Sequence, residues 1–190
     1  MAQSAQAIER TQLPPAGTWT FDKNHTTVGF VARHMLSRVH GRFNGFDGTV
    51  VIAERPEDSS VEVEIDAASV ETKTDMRDNH LRSSDFFDVE HHPKLTFRSR
   101  QIRPIGGSTF QLVGDLTIRG VTREVVLDAE FLGWGRGPGD DSPMVAAFTA
   151  STEVDREDWD LTWNMAVETG GWLVGKKVKI EIDTELQLAS

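Results

Sequence analysis

The segment from residue 177 to residue 188 constrains the fold of this chain more than any other. Apolar and polar side chains alternate along it almost without interruption. A period of two is typical of a β-strand with one buried face and one face in water. One row of the alternation carries Val178, Ile180, Ile182, Thr184, Leu186 and Leu188. The segment therefore predicts a long strand of an antiparallel sheet.

The same alternation recurs along most of the chain. Clusters of Pro, Gly, Asp and Ser separate the alternating runs, as in ERPEDSS, RPIGGST and RGVT. Such residues favour turns, and short turns join antiparallel neighbours. About eight long strands with one wet face predict an all-β fold, an eight-stranded antiparallel barrel that leaves no exposed edge. A two-layer sandwich is the alternative.

The segment TKTDMRDNHLRSSDFFDVEHHPKLTF, residues 72–97, interrupts this pattern. It concentrates charge, histidine and aromatic residues, and its first half lacks alternation. The spacing of Met76, His80 and Leu81 predicts one short helix between two strands. A helix in this position would close one end of the barrel. The side chains expected to face the interior are Met76, Leu81, Phe86 and Phe87.

Length and charge limit the classes of function. The 190 residues suffice for one domain, predicted at 17–190 after a flexible tail at 1–16. A formal net charge of −10 argues against nucleic-acid partners, because phosphates would be repelled. No apolar run reaches the roughly 18 residues of a membrane span, so stable membrane insertion is not expected. No secretory leader is visible, which predicts a cytoplasmic protein.

Cysteine and histidine usage bears on metals and cofactors. The chain has no cysteine, so disulfides, thiolate metal sites and cysteine nucleophiles are excluded. His91 and His92 are adjacent, and in an extended segment they would point to opposite sides. The remaining histidines lack a recognisable ligand spacing. We therefore expect no metal site and no cofactor.

The interior of such a barrel is either packed with side chains or holds one small ligand. The predicted inward rows mix large residues with small ones such as Ala32, Gly114, Ala129 and Ala150. Small residues leave volume unfilled, and an empty cavity costs roughly 24 cal/mol per Å³. Large neighbours could also cover the small positions. The inward rows therefore leave both a ligand cavity and a packed core open.

Several motifs in a fixed order resemble the YceI-like family. They are WTFDKNHTTVGFVARH, VHGRFNGFDG, the 72–97 segment, LVGDLTIRGVTREVVL and the closing GKKVKIEI. The resemblance covers about residues 17–188. One departure is REDWD, residues 156–160, at a place where the family pattern is Arg-x-Asp-Phe-Gly.

The resemblance implies a lipocalin-like barrel that binds a long apolar molecule without catalysis. A polyisoprenoid, a prenyl quinone or a fatty acyl amide would then be stored or transported inside it. The side chains expected to contact the ligand are Val28, Phe30, Ala32, His34, Met76, Leu81, Phe86, Phe87, Leu95, Phe97, Leu112, Leu116, Phe131, Ala146, Phe148, Trp163, Ile180 and Ile182.

A second group of residues is polar. Asp22, His25, Arg77, Asp78 and His80 match polar motif positions of the family. We expect them to form a structural cluster that holds the helix to the first strand through charge-assisted hydrogen bonds. Alternatively, His34, Arg77 or His80 meets the polar head of the ligand.

Two other functions stay open at this point. A small-substrate enzyme would use His25, Arg77, Asp78 and His80, and it requires these side chains to converge on an open cleft. A stress-linked interaction module would have a packed core and could form a homodimer. Near the last strand, Trp159, Trp163 and Trp172 would then cap the core, whereas in a ligand carrier they would gate its entry.

Overall fold

The computed structural model describes residues 13–137, 139, 142–168 and 170–189. These residues are mostly β-strand, with one α-helix. The strands are β1 (Gly17–Phe21), β2 (Thr27–His34), β3 (Ser37–Phe43), β4 (Phe46–Ile52), β5 (Ser60–Asp66), β6 (Val70–Glu71), β7 (Lys94–Gly106), β8 (Thr109–Ile118), β9 (Val121–Arg136), β10 (Met144–Asp155) and β11 (Val174–Leu188). The helix is α1 (Asp75–Arg82), and short 3₁₀ helices occupy Pro56–Asp58, Ala67–Ser69 and Arg156–Trp159.

The sheet closes on itself. Its order is β1-β4-β5-β7-β8-β9-β10-β11-β2-β3-β6, and β1 also pairs with β11. All of the pairings are antiparallel. The additional pairing joins the two ends of the ring β1-β4-β5-β7-β8-β9-β10-β11. The predicted eight-stranded antiparallel barrel is confirmed, and a two-layer sandwich is excluded.

The eleven strands fill eight positions in the wall, because three positions are each shared by two short strands. β11 pairs with β2 along its first part and with β1 at its end, so β1 and β2 form one interrupted strand. β3 and β4 follow that interrupted strand in the same way. β5 pairs with β4, and β6 pairs with β3. Each wall position therefore lies beside the one that precedes it along the chain.

Helix α1 closes one end of this barrel, as predicted. Arg82, its last residue, donates from Nε to the Ala68 carbonyl at 2.8 Å and from Nη2 to the Val70 carbonyl at 2.8 Å. The helix is thereby fixed to the junction between β5 and β6. In the part of the chain that the structure describes, no helix is both long and apolar enough to cross a membrane.

The predicted flexible tail, 1–16, falls mostly outside the described residues. The part that is described is packed against the barrel. Pro14 is buried, and the Pro15 carbonyl accepts a hydrogen bond from Trp19 Nε1 at 3.2 Å. The globular part thus includes a few residues before the predicted boundary at 17.

Gly114 on β8 is one of the small inward residues, and its neighbours on β7 fill the space beside it. A Cβ atom built at this position would lie 2.5 Å from the Arg98 carbonyl oxygen and 2.5 Å from Phe97 Cζ. The Phe97 ring therefore covers Gly114, and this glycine leaves no free volume.

We expect Gly114→Ala to destabilise the barrel by about 1–3 kcal/mol, because β7 and β8 would have to separate. Urea denaturation followed by circular dichroism measures the change. Gly135→Ala on β9 is the matched control, since no heavy atom lies within 4 Å of its built Cβ. Equal stabilities of the two variants would contradict the close contact.

Candidate ligand-binding cavity

The barrel encloses a cavity of about 740 Å³. This volume is within the range of 300–1,000 Å³ that is typical of small-molecule sites. Side chains from all eight wall positions line it, and most of them are aliphatic or aromatic. A packed core, which the sequence left open, is therefore wrong. The interaction-module hypothesis required a packed core, so the cavity argues against it.

The two ends of the cavity differ. At one end the walls are Leu81 and Phe87 from the α1 segment, together with Trp159 and Leu161. Trp159 is only 2% exposed, and its Nε1 donates to the Leu116 carbonyl at 3.0 Å. These residues form what we call the closed end.

The opposite end lies among exposed turns. Its lining includes Leu13, Pro56, Pro104 and Gly107, from the N-terminal segment, the β4–β5 connection and the β7–β8 hairpin. Gly107 is exposed and Leu13 is half exposed. We call this end the mouth, because it is where the lining reaches the surface.

Most of the predicted contact residues line the cavity. They are Val28, Phe30, Ala32, Leu81, Phe87, Leu95, Phe97, Leu112, Leu116, Phe131, Phe148, Ile180 and Ile182. Strand alternation placed eleven of these side chains correctly on the inner face, and Leu81 and Phe87 come from the helical segment. Their role in binding a ligand stays a prediction.

Five predicted contact residues are not part of the lining. Met76 was expected to face the interior, and this is wrong, because its side chain points away from the barrel and is 82% exposed. His34 ends β2 at the hairpin turn, beyond the cavity. Ala146 is fully buried in a separate apolar cluster around Trp19. Phe86 and Trp163 pack against each other on the outer side of the closed end, with ring centroids 5.5 Å apart.

The three tryptophans near the last strand do not form one cluster. Trp159 is buried at the closed end, Trp163 packs against His80 with a centroid distance of 4.4 Å, and Trp172 is 56% exposed. Trp159 therefore caps the core, as one of the two hypotheses predicted. The three tryptophans therefore do not form one element that could gate ligand entry.

Other residues that line the cavity were not predicted from the sequence. Among them are Phe21, Phe43, Phe46, Val63, Phe110, Leu127 and Arg156. Phe21 and Phe46 lie in short strands whose alternation is too brief to recognise. Arg156 continues the inward row of β10, in which Ala150, Thr152 and Val154 also line the cavity. That row is a signal that could have identified it.

The predicted polar cluster is divided into three local groups. Asp22 and His25 bond to each other at the β1–β2 junction. Arg77 and Asp78 both bond to Thr72, just before α1. His80 Nε2 lies 2.9 Å from an Asp85 carboxylate oxygen.

The expectation that these residues hold the helix to the first strand is wrong. Asp78 accepts from the Thr72 backbone N–H at 2.8 Å and from its hydroxyl at 2.5 Å, so it fixes the helix to the segment that precedes it. The enzyme hypothesis required His25, Arg77, Asp78 and His80 to converge, and their hydrogen bonds keep them apart.

The Asp22–His25 pair is a compact hydrogen-bonded unit. The Asp22 carboxylate accepts from His25 Nδ1 at 2.9 Å, from the Asn24 backbone N–H at 2.9 Å and from Gln187 Nε2 at 2.8 Å. The bond to His25 lowers the pKa of Asp22, and the bond to Asp22 raises the pKa of His25 above its usual 6.5. The unit joins the β1–β2 junction to the end of β11.

Among the described residues, Asp22, His25 and Glu185 form the one group with donor atoms close enough for a metal ion, all within 4.8 Å of one another. His25 Nδ1 lies 3.9 Å from a Glu185 carboxylate oxygen. The hydrogen bonds of Asp22 to His25 and Gln187 account for this arrangement without an ion. The expectation of no metal site stays a prediction.

We expect Asp22→Asn to lower the pKa of His25 towards 6.5, measured from its imidazole proton shifts by NMR. The pair stabilises the fold below the unfolded pKa of His25, and this contribution is lost as the pH rises through the raised value in the folded protein. The Asp22 contribution is present above its unfolded pKa of about 3.9 and is lost as the pH falls through the lowered value. His91, whose pKa Asp88 raises, is the control and should not change. An unchanged midpoint for His25 would show that Asp22 does not set it.

Comparison with known families agrees with this architecture. The model of the YceI-like domain matches residues 19–186. The chain belongs to the YceI-like family. The match includes all or part of every strand of the barrel.

Relatives and solved structures agree. A UPF0312 protein of Staphylococcus aureus (strain bovine RF122 / ET3-1) is 36% identical over 174 residues, which cover 90% of this chain and 98% of that protein. BcnA of Burkholderia cenocepacia superposes with a TM-score of 0.74 at 24% identity, over 87% of this chain and 98% of BcnA. A polyisoprenoid binding domain from Saccharophagus degradans, implicated in plant cell wall breakdown, gives a TM-score of 0.66 at 14% identity, over 90% of this chain and 98% of that domain. These two structures share the lipocalin-type barrel.

Proposed function

We propose that this chain binds one long-chain apolar molecule inside the barrel and stores or transports it without catalysis. The ligand class is a polyisoprenoid, a prenyl quinone or a fatty acyl amide. The observation that carries the proposal is the apolar cavity of about 740 Å³, which extends from the closed end to the mouth. Membership of the YceI-like family supports it, as does the structural similarity to the polyisoprenoid binding domain from Saccharophagus degradans.

The energetics favour an occupied cavity. Burying hydrocarbon contributes about 0.8 kcal/mol per CH₂ group. A chain of 15–20 carbons therefore has enough apolar surface to offset the loss of its own freedom of motion. Without a ligand, the lining residues lack packing partners across a large space. The barrel is therefore expected to be most stable when it is loaded. We propose that it serves as a cytoplasmic carrier.

Two measurements on the purified protein test the proposal. Organic extraction followed by mass spectrometry should recover an apolar compound in a near-stoichiometric amount. Adding a prenyl quinone or a fatty acyl amide to delipidated protein at about 100 times its Kd should raise Tm by about 5–10 °C. Recovery of no apolar compound together with an unchanged Tm for both ligand classes would overturn the proposal.

A further inference from the structure

Arg156 is a buried cation in an otherwise uncharged cavity. It is 5% exposed, begins the 3₁₀ helix Arg156–Trp159 and lines the cavity at its closed end. No other charged side chain is among the described residues that line the cavity. Most of the lining around the rest of the cavity is aliphatic or aromatic. This end of the cavity is therefore chemically different from the rest.

The guanidinium of Arg156 is only partly satisfied. Its Nε donates to the Gly175 carbonyl at 3.0 Å, and its Nη1 donates to the Leu161 carbonyl. Its Nη2 is buried and has no hydrogen-bond partner among the described residues. The Nη2 amino group of the guanidinium is thus left without a hydrogen-bond acceptor in this part of the chain.

The neighbouring carboxylates do not neutralise this charge. Asp155 accepts from the Glu157 backbone N–H at 3.1 Å, and Glu157 pairs with Lys176 at 2.7 Å. Within the described part of the chain, Arg156 has no ion-pair partner within 4.0 Å. Burial lowers the pKa of Arg156, yet arginine stays protonated in proteins. The lining of the closed end therefore contains one cationic side chain with no described carboxylate in direct contact.

A buried charge without a partner is unfavourable, and an anionic oxygen at this place would remove the penalty. Arginine binds carboxylates particularly well, because its planar fork matches their two oxygens. A phosphate ester carries a charge of about −1.5 to −2, which one cation would not balance. A carboxylate carries the single charge that Arg156 can match.

We propose, on the basis of the lipid-binding function above, that the ligand is a long-chain carboxylic acid whose carboxylate pairs with Arg156 at the closed end. The chain then extends along the apolar lining towards the mouth. The inference keeps the long apolar chain proposed above, assigns it a carboxylate head group that the class above does not name, and gives its direction in the cavity.

A series of ligands with one chain and different head groups tests the inference in the wild-type protein. We expect oleate to bind at least tenfold more tightly than oleyl alcohol and oleamide in isothermal titration calorimetry. Equal or weaker binding of oleate would overturn the carboxylate assignment and leave the proposed function intact. Binding of none of the three would overturn both.

Variants then locate the head group. Arg156→Gln should reduce the affinity for oleate to that for oleyl alcohol, whereas Arg156→Lys should keep part of the preference. Arg98→Gln is the control, because Arg98 lies on the outer face of β7 and its side chain is 73% exposed. A folded Arg156→Gln protein that keeps the full preference for oleate would overturn the inference.

A measurement without any variant covers the case in which Arg156→Gln does not fold. The carboxyl carbon of bound [1-¹³C]oleate can be titrated by NMR in the wild-type protein. Beside a guanidinium its pKa should lie below the ordinary carboxyl range of about 4. Burial away from a cation raises it instead, and exposure at the mouth leaves it unchanged. Either of these two results contradicts pairing with Arg156.

Discussion

Replacing Ala129 with tryptophan is expected to weaken the binding of a long-chain ligand by about 5- to 150-fold while the barrel stays folded. Ala129 is 7% exposed, lines the cavity and lies opposite Ala150 on the neighbouring strand. An indole ring projecting from this position would occupy space that the ligand chain needs. Overlap in a packed interior costs about 1–3 kcal/mol, and every 1.4 kcal/mol is tenfold in affinity. Calorimetric titration with geranylgeraniol and with oleamide measures the effect.

The matched control is Val126→Trp on the same strand. The odd-numbered residues from Val125 to Phe131 are buried, whereas Val126 faces outwards and is 36% exposed. The same ring on the outer face should change the affinity by less than a factor of two. Thermal unfolding confirms that both variants are folded. If the two variants bind both ligands alike, the ligand does not use this cavity.

Strand alternation made the fold predictable wherever one face is buried and the other is wet. β9 and β11 are long, and the alternating inward residues of their central parts line the cavity. β3 was not recognised as a separate strand, because charged and small residues break its pattern and most of it is exposed. The interrupted wall positions were also beyond prediction, since they become apparent only from the pairing of β11 with both β1 and β2.

The helical segment was harder to predict in detail. Its position between two strands and its role in closing the barrel are confirmed. Met76 was assigned to the interior because spacing alone does not decide which face of an eight-residue helix is buried. Two contacts with residues outside the helix fix which face is buried. Asp78 accepts a hydrogen bond from Thr72, and Arg82 donates one to the Val70 carbonyl.

Charged residues were the least predictable part of the site. Asp22–His25 and Asp88–His91 are local pairs three residues apart, so their bonds could be expected from spacing. The inward row of β10 directs Arg156 to the interior, but its burial without an ion-pair partner could not be expected, because a cation is rarely placed in an apolar interior. Its burial depends on the carbonyls of Leu161 and Gly175, which are brought together by the turn that follows β10 and by the start of β11.

Truncating Trp159 to alanine is expected to cost about 3–5 kcal/mol of unfolding free energy, one of the largest losses in this chain. The indole is 2% exposed, packs in the main core and bonds to the Leu116 carbonyl. Such a loss would lower Tm by roughly 6–20 °C in a domain of this size. Urea denaturation followed by circular dichroism gives the free energy, and calorimetry gives Tm.

Two further variants separate packing from hydrogen bonding. Trp159→Phe keeps one aromatic ring but removes the donor and part of the indole volume, so it should cost less than Trp159→Ala, about 1–3 kcal/mol. Trp172→Ala removes an indole that is 56% exposed and should stay within about 0.5 kcal/mol of the wild type.

The residue after Trp159, Asp160, takes the left-handed conformation at φ 58°, which glycine adopts at no steric cost. The turn after Trp159 therefore forms without a glycine. A cost below about 1 kcal/mol for Trp159→Ala would mean that the closed end is held mainly by α1.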